Sequence, residues 1–351
     1  MMDKRDLLSM TKQELADAAA ALGQPAYRAK QLYAWLHRAR AASFDEMTDL
    51  PKEFRAALAR QYRIACLTTL RAQRAADGTA KFLYGLPDGN SIETVAMRYE
   101  HGMAVCVSTQ VGCRMGCAFC ASTKDGLVRS LEAGEILAQI YRTEAETGER
   151  TDSVVLMGIG EPLDNFDNVV RFIGLATDKD GGGLSNRGIT LSTCGLVPQI
   201  DRLAALSLQL TLSVSLHAAT DEKRGAMMPV DKIYPIAEVL AACRRYFEAT
   251  GRRISFEYAV IHDKNDFDDD ARKLAHLIAG MGAHVNLIPV NPIRETDFRA
   301  SRADAEAFRK KLETLGVNAT VRRTLGTDIS AACGQLRREA RQNDENRPKE
   351  V

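Results

Sequence analysis

Long hydrophobic runs, aromatic side chains and an excess of either charge are all scarce in this chain. Aromatics make up 6% of its 351 residues, with a single tryptophan. Any core must therefore be filled by aliphatic residues and alanine. Lys and Arg number 47 against 46 Asp and Glu, a formal net charge of +1. That balance leaves room for a nucleic-acid partner only through a local basic footprint. No apolar run approaches the ~18 residues of a membrane span. Met1–Gln13 is polar and charged and has no apolar stretch of the kind an export signal needs. Membrane-embedded and secreted classes are set aside. Eight cysteines without an export signal read as reduced thiols in a cytosol. A hydrophobic content of 45% supports a sizeable core, and the length suits about two domains at ~100–200 residues each.

Residues 1–72 read as helical. Thr11 followed three positions later by Glu14 is a capping box that opens onto Leu15–Leu22. Tyr27–Arg38 and Lys52–Tyr62 space their apolar residues at three and four. Arg28, Lys30, Arg38, Arg40, Arg55, Arg60 and Arg63 make this part basic. It suits either a solvated helical surface or a module that contacts phosphates. Residues 73–100 differ: Lys81–Tyr84, the turn Pro87-Asp-Gly-Asn90 and Ser91–Met97 predict a β-hairpin linker.

From residue 101 to 336, strand and helix patterns alternate. Strands are expected at 103–108, 153–158, 188–193, 209–215, 254–261, 283–288 and 317–323. Helices are expected at 131–146, 166–177, 199–205, 233–249, 266–281 and 302–315. Alternation of this kind predicts an α/β fold with parallel strands, as an incomplete barrel of about six β/α units rather than a flat doubly wound sheet. Ligands in such folds gather at the C-terminal strand ends. The charged tail 337–351 is expected to fray.

The richest motif is Cys113-Arg-Met-Gly-Cys117-Ala-Phe-Cys120, a CxxxCxxC. Three thiolates can hold three irons of a 4Fe-4S cluster and leave the fourth open. An open iron can bind and reductively cleave S-adenosylmethionine (SAM), which gives radical chemistry. The alternative is a zinc site with Cys106 as fourth ligand, although zinc motifs usually come as two pairs. The motif follows the first expected barrel strand, at the barrel mouth. At the next strand end stands Gly158-Ile-Gly160-Glu161-Pro162, either a tight turn or a glycine-lined edge whose glutamate accepts from the ammonium end of SAM. Ser192, Ser215, Leu216, His217 and Asn291 fall at further strand ends. Cys106, on the first strand, and Cys333, beyond the last, can face one cavity or be inert buried thiols. Cys66, Cys194 and Cys243 have no motif around them and are expected to be buried.

Together these motifs give the chain a resemblance to a known family. Cys106–Cys120, Gly158–Leu163, Ser213–Ala218, Asn286–Pro292 and Asp328–Leu336 are similar to the radical SAM adenine methyltransferases of ribosomal RNA, the RlmN/Cfr group, across residues 5–338. The resemblance implies a partial (β/α)6 radical SAM barrel over 101–336 and an RNA-binding accessory domain over 1–72. Gly160-Glu-Pro-Leu-Asp-Asn165 resembles the branch that methylates carbon 2 of an adenine in 23S rRNA, often also of a tRNA adenine beside the anticodon. The other branch methylates carbon 8.

The resemblance also implies roles. Cys113, Cys117 and Cys120 bind the cluster. Gly160, Glu161, Ser192, Ser215, Leu216, His217 and Asn291 contact SAM. Cys333 accepts a methyl group from one SAM, and its S-methyl is activated by the radical from a second. Cys106 then closes a disulfide with Cys333 to release the methylated base. Glu93 takes the proton from carbon 2; its other reading is a solvated strand glutamate. Arg322 and Arg323 can hold phosphates at the cavity mouth. The implied setting is a cytoplasmic monomer served by a flavodoxin-type electron donor. Two other readings stand beside it, a radical SAM enzyme acting on a small molecule or peptide and a zinc-stabilised RNA-binding protein.

Overall fold

A computed structural model describes residues 4–290 and 298–323. Asn291, Cys333 and the tail 337–351 lie outside the described residues. The N-terminal part opens with β1 (Arg5–Asp6), followed by α1 (Lys12–Ala21), α2 (Tyr27–His37), α3 (Lys52–Gln61) and β2 (Tyr62–Arg63). The capping box is present: Thr11 Oγ1 accepts from the Glu14 N–H, and Glu14 accepts from the Thr11 N–H. Leu7, Leu15, Leu32, Leu36, Phe54 and Leu58 bury the apolar faces of this module.

The chain then enters β3 (Thr68–Arg74), β4 (Ala80–Gly85), β5 (Ser91–Tyr99) and β6 (Gly102–Cys106). Residues 68–72, expected to end the helical part, form strand instead. Thr68 and Thr69 favour extended backbone, and the strand is largely solvent-exposed at the sheet edge. Arg71 and Arg74 blunt that edge against further pairing.

After β6 come the short antiparallel pair β7 (Gln110–Gly112) and β8 (Leu127–Ser130), then α4 (Ala133–Thr147), β9 (Thr151–Leu156) and α5 (Phe166–Thr177). The series continues through β10 (Ile189–Thr193), α6 (Val197–Ala205), β11 (Thr211–Ser215), α7 (Asp221–Met227) and α8 (Ile236–Thr250). It ends with β12 (Ser255–Val260), α9 (Asp268–Ile278), β13 (His284–Pro289), α10 (Arg302–Thr314) and β14 (Ala319–Val321).

Ten strands make one sheet in the order β14-β13-β12-β11-β10-β9-β6-β5-β4-β3. The seven from β6 to β14 are parallel, and β3 to β6 form an antiparallel meander. The expected hairpin is thus continuous with the main sheet. Among the described strands the sheet is open, a partial barrel with helices on its outer face.

Side chains alternate across a strand. One face carries Val105, Val154, Leu156, Leu191, Leu212, Val214, Phe256 and Leu287, all wholly buried and packed with helix residues such as Ile136, Phe172, Leu203, Val239, Tyr246 and Phe308. The opposite, concave face carries Cys106, Ser153, Ser192, Ser213, Ser215, Glu257 and Asn286. Parallel strands are usually apolar on both faces; the polar groups on one face of this sheet make it the candidate ligand-facing side. No helix of the described residues is long and apolar enough to cross a membrane.

Candidate active site

The segment after β6 builds a cage for the three cysteines. Gly112 has φ +78°, and a Cβ there would collide with the Gly126 carbonyl, which instead accepts from the Cys113 N–H at 2.9 Å. Thr123 clamps the loop: its hydroxyl donates to Cys113 O at 3.1 Å and accepts from the Gly116 N–H at 2.8 Å. The Ala118 N–H donates to Met227 O at 2.8 Å, fixing the loop to α7. Burial pushes the Cys113 thiol up to about 12, and Glu161 and Cys120 push the same way. Burial, then Cys120 and Cys113, likewise raise Cys117.

Three thiolates gathered in one short loop, Cys113 buried and Cys117 and Cys120 half-buried, repel one another and need a cationic centre among them. That donor set fits a thiolate-bound iron–sulfur cluster. Cys106 does not join them. It packs with Val95, Met97 and Ala104, whereas Cys117 packs with Cys194, Met227, Met228 and Val230. The fourth ligand suggested for zinc stands in a different cluster.

The turn after β9 is fastened to the same segment. A Cβ on Gly158 would lie 2.6 Å from Val107 O, and one on Gly160 would lie 2.6 Å from the Gln110 side chain. Both glycines therefore serve close approach of the chain to itself. The Glu161 N–H donates to Gln110 Oε1 at 2.9 Å. The Glu161 carboxylate is buried and accepts from the N–H groups of Leu163, at 3.1 Å, and Cys194, at 2.8 Å. Burial raises its pKa, and those hydrogen bonds work against the rise. Asp164 accepts from Gln110 at 2.8 Å and from Arg114 at 2.9 Å, which couples the turn to the cysteine loop.

Ser192 on β10 pairs in register with Ser213 on β11, and Ser215 pairs with Glu257 on β12. Beyond β11 the main-chain N–H groups of Leu216 and His217 both donate to Glu257 O, at 3.0 and 3.1 Å. Leu216 itself is wholly buried. His217 adopts φ +59°, a strained left-handed conformation for a non-glycine residue. Its Nδ1 accepts from the Ala259 N–H at 2.9 Å, and its ring meets Phe119 edge-on with centroids 4.8 Å apart. Burial lowers its pKa to about 3, so the ring is neutral. Phe119 lies between Cys117 and Cys120, so the end of β11 touches the cysteine loop directly.

Glu93 is buried, which removes the solvated reading. Its carboxylate lies 3.1 Å from the Lys81 ammonium, and both side chains are almost fully enclosed. The Ser108 hydroxyl donates to Glu93 O at 2.6 Å. Val95, two residues on, pairs with Cys106, so Glu93 and Cys106 share a face. Neither Asn291 nor Cys333 is among the described residues.

Two groups of the concave face escaped sequence reasoning. Glu257 is buried and accepts from Ser213 and Asn286, each at 2.7 Å. Lys81 is the other. The available signal was the same for both: a single charge inside an otherwise apolar strand, Ala80-Lys-Phe-Leu-Tyr and Phe256-Glu-Tyr. Cys194 and Cys243 are buried as expected, but Cys66 is exposed. It follows the short β2 on the surface of the N-terminal part. Arg322 and Arg323 are exposed.

Comparison with known proteins shows the family and the fold. Residues 107–278 match the radical SAM superfamily, and residues 5–64 match the ribosomal RNA large subunit methyltransferase N-terminal domain. The chain is 50% identical over 334 residues to "Probable dual-specificity RNA methyltransferase RlmN" of Lachnospira eligens, covering 95% of each. The Staphylococcus aureus protein of the same name is 45% identical over 344 residues, 97% of this chain and 94% of that one. A crystal structure of a radical SAM methyltransferase from Sphaerobacter thermophilus superposes with a TM-score of 0.90 at 45% identity, covering 94% of this chain and 98% of that one.

Proposed function

Given that the chain belongs to the RlmN family of radical SAM RNA methyltransferases, we propose that it methylates carbon 2 of an adenine in 23S rRNA and of the adenine beside the anticodon in tRNA. Relatives named as probable dual-specificity RNA methyltransferases support two RNA substrates. Carbon 2 lies between two ring nitrogens and is electron-poor, so it does not attack a methyl cation equivalent. Bound at Cys113, Cys117 and Cys120, a 4Fe-4S cluster with SAM supplies the one-electron chemistry this position requires.

The chain's own residues do the rest. Gly160, Glu161, Ser192, Ser215, Leu216 and His217 line the strand ends nearest the cysteine loop and are assigned to SAM, with Asn291 beyond the described residues. Glu161 offers its carboxylate to the SAM ammonium. Cys333 is assigned the thiolate that carries the methyl group as a thioether. Cys106 attacks the Cys333 sulfur, forming the disulfide as the sulfur–carbon bond to the product breaks. Glu93 takes the carbon-2 proton. The target base must leave its stack to reach the concave face. Residues 1–67 serve as the RNA-binding module, the strands of 68–100 as the link and 101–336 as the catalytic domain. A flavodoxin-type protein delivers the electrons to a monomer working in the cytoplasm.

The observation that carries this reading is the burial of Glu93 on the face of Cys106, one strand from the segment that leads into the cysteine loop. Mass spectrometry of ribosomal and transfer RNA from cells with and without the gene tests it. Loss of 2-methyladenosine is expected; loss of 8-methyladenosine alone assigns the chain to the other branch, and an unchanged pair of RNAs defeats the reading.

A further inference from the structure

We infer that Arg224 is a positioning residue for the iron–sulfur centre: its buried positive charge, held behind the cysteine loop, raises the reduction potential of the cluster. The inference rests on the assignment of a 4Fe-4S cluster to Cys113, Cys117 and Cys120 made above.

Arg224 stands on α7 with no exposed surface. A guanidinium cannot be deprotonated inside a protein, so this cation is permanent. Its Nη1 donates to Asp231 at 2.7 Å and to Tyr234 O at 3.0 Å. Its Nη2 donates to Cys194 O at 2.7 Å. The Nε–H is buried and finds no acceptor among the described residues. Asp231 therefore answers one corner of the guanidinium and leaves the rest of its charge without a counter-ion.

Three contacts bring that charge to the cysteine loop. The Ala118 N–H donates to Met227 O, three residues on from Arg224. A Cβ on Gly116 would meet Pro229 Cγ at 3.3 Å. Cys194, whose carbonyl Arg224 holds, shares an apolar cluster with Met227, Met228 and Cys117. The field is felt on both sides of the loop. Burial raises the Cys117 thiol most, and Arg224 works against the rise. Burial, then Arg224, lowers His217, whose ring meets Phe119.

Burying a guanidinium is costly, and a buried ion pair is rarely worth more than apolar side chains of the same size. Neutral donors could tie the same loops together. A permanent cation has a further use beside a centre that becomes more negative. One electron passes from the flavodoxin-type donor to the cluster, which gains one negative charge; no bond forms or breaks. The cation favours the reduced form over the oxidised one. Cluster potentials follow net charge, hydrogen bonding and exposure, and groups beyond the ligands tune them.

The test uses the full-length, cluster-loaded protein with Arg224→Met, Arg224→Lys, Asp231→Asn and the double variant Arg224→Met/Asp231→Asn. A redox titration at pH 8 followed by electron paramagnetic resonance reads the midpoint on loaded molecules alone, without turnover. Arg224→Met should lower it, leaving roughly tenfold less reduced cluster per oxidised at a fixed potential, about 59 mV for one electron. That is the order expected of one charge acting over ~10 Å at an effective dielectric constant near ~20. Arg224→Lys should stay near the unsubstituted value. Asp231→Asn should raise the midpoint, because it removes the opposing anion, and the double variant should fall between the two. A residue that only ties loops together would cost cluster content in both single variants without moving their midpoints in opposite directions. If Arg224→Met fails to fold, Arg224→Gln takes its place. An unmoved midpoint in Arg224→Met, or a fall in both Arg224→Met and Asp231→Asn, overturns the inference. Iron analysis separates this from the other failure: an unsubstituted protein that takes up no iron sinks the cluster assignment, and the inference with it.

Discussion

The main-chain N–H of Cys194 donates to the carboxylate of Glu161 at 2.8 Å. The bond joins the loop after β10 to the glutamate that follows β9, two neighbouring parallel strands. The same carboxylate accepts from Leu163. Its remaining lone pairs are what a ligand ammonium can use.

Glu161→Gln keeps the shape and removes the charge. SAM binding measured by calorimetry on the cluster-loaded protein should weaken roughly 10–100-fold, the range for losing one charge-assisted hydrogen bond. Iron content should stay at the unsubstituted level, because the cysteine loop is untouched. Unweakened SAM binding removes Glu161 from the SAM site.

The cysteines separate by the stage at which each variant stops. Cys113→Ala should lose iron and all 5′-deoxyadenosine production, measured by metal analysis and chromatography. Cys333→Ala should keep about four irons per chain and make no methylated RNA. Cys106→Ala should accumulate protein covalently attached to RNA, visible as a shifted band on a denaturing gel that nuclease collapses. A Cys106→Ala protein that turns over freely means that another group resolves the adduct.

The cysteine loop, the glycine–glutamate turn and the succession of parallel strands were all legible in the sequence. Buried strands such as Thr211–Ser215 and Ser255–Val260 are short β-rich runs bounded by turn residues, so they announce themselves. The edge strand Thr68–Arg74 does not. It is mostly exposed and carries Arg71 and Arg74, so it has no apolar alternation to read. Pairing between strands is also silent in the sequence. Lys81 and Glu93 are twelve positions apart, and only the hairpin register brings them to 3.1 Å. Gly158 and Gly160 were visible as glycines, but their role in packing against Val107 and Gln110 depends on the crossover between β6 and β9.

Arg224 is wholly buried on α7. It pairs with Asp231 at 2.7 Å and donates to the carbonyls of Cys194, at 2.7 Å, and Tyr234, at 3.0 Å. It therefore ties α7, which holds the cysteine loop through Met227, to the loop after β10. Arg224→Met leaves Asp231 without its cation and two carbonyls without donors. Urea denaturation should show a loss of about 3–5 kcal/mol, the usual result of breaking one partner from a buried pair. Cluster occupancy should fall with it. Exchanging both partners, Arg224→Met/Asp231→Leu, should recover part of the stability; a double variant no better than the single would place the cost in the lost carbonyl contacts.

Far from the site, His37 of α2 is buried against α4, with its Nδ1 3.1 Å from the Tyr141 hydroxyl. Burial is the main cause that lowers its pKa to about 4, from an ordinary 6.5. Between those values the unfolded chain binds a proton that the folded chain refuses. The unfolding free energy therefore rises with pH across this window and is lost as the pH falls from 6.5 towards 4. The slope contributed by this one residue is at most about 1.4 kcal/mol per pH unit. Urea titrations at intervals between pH 4 and 7 on the cluster-free protein measure it. His37→Phe, which cannot take up a proton, should flatten the curve by that amount while leaving the cysteine loop as it was. A curve of unchanged steepness would mean that His37 is protonated in the fold, with Tyr141 serving as its acceptor rather than its donor.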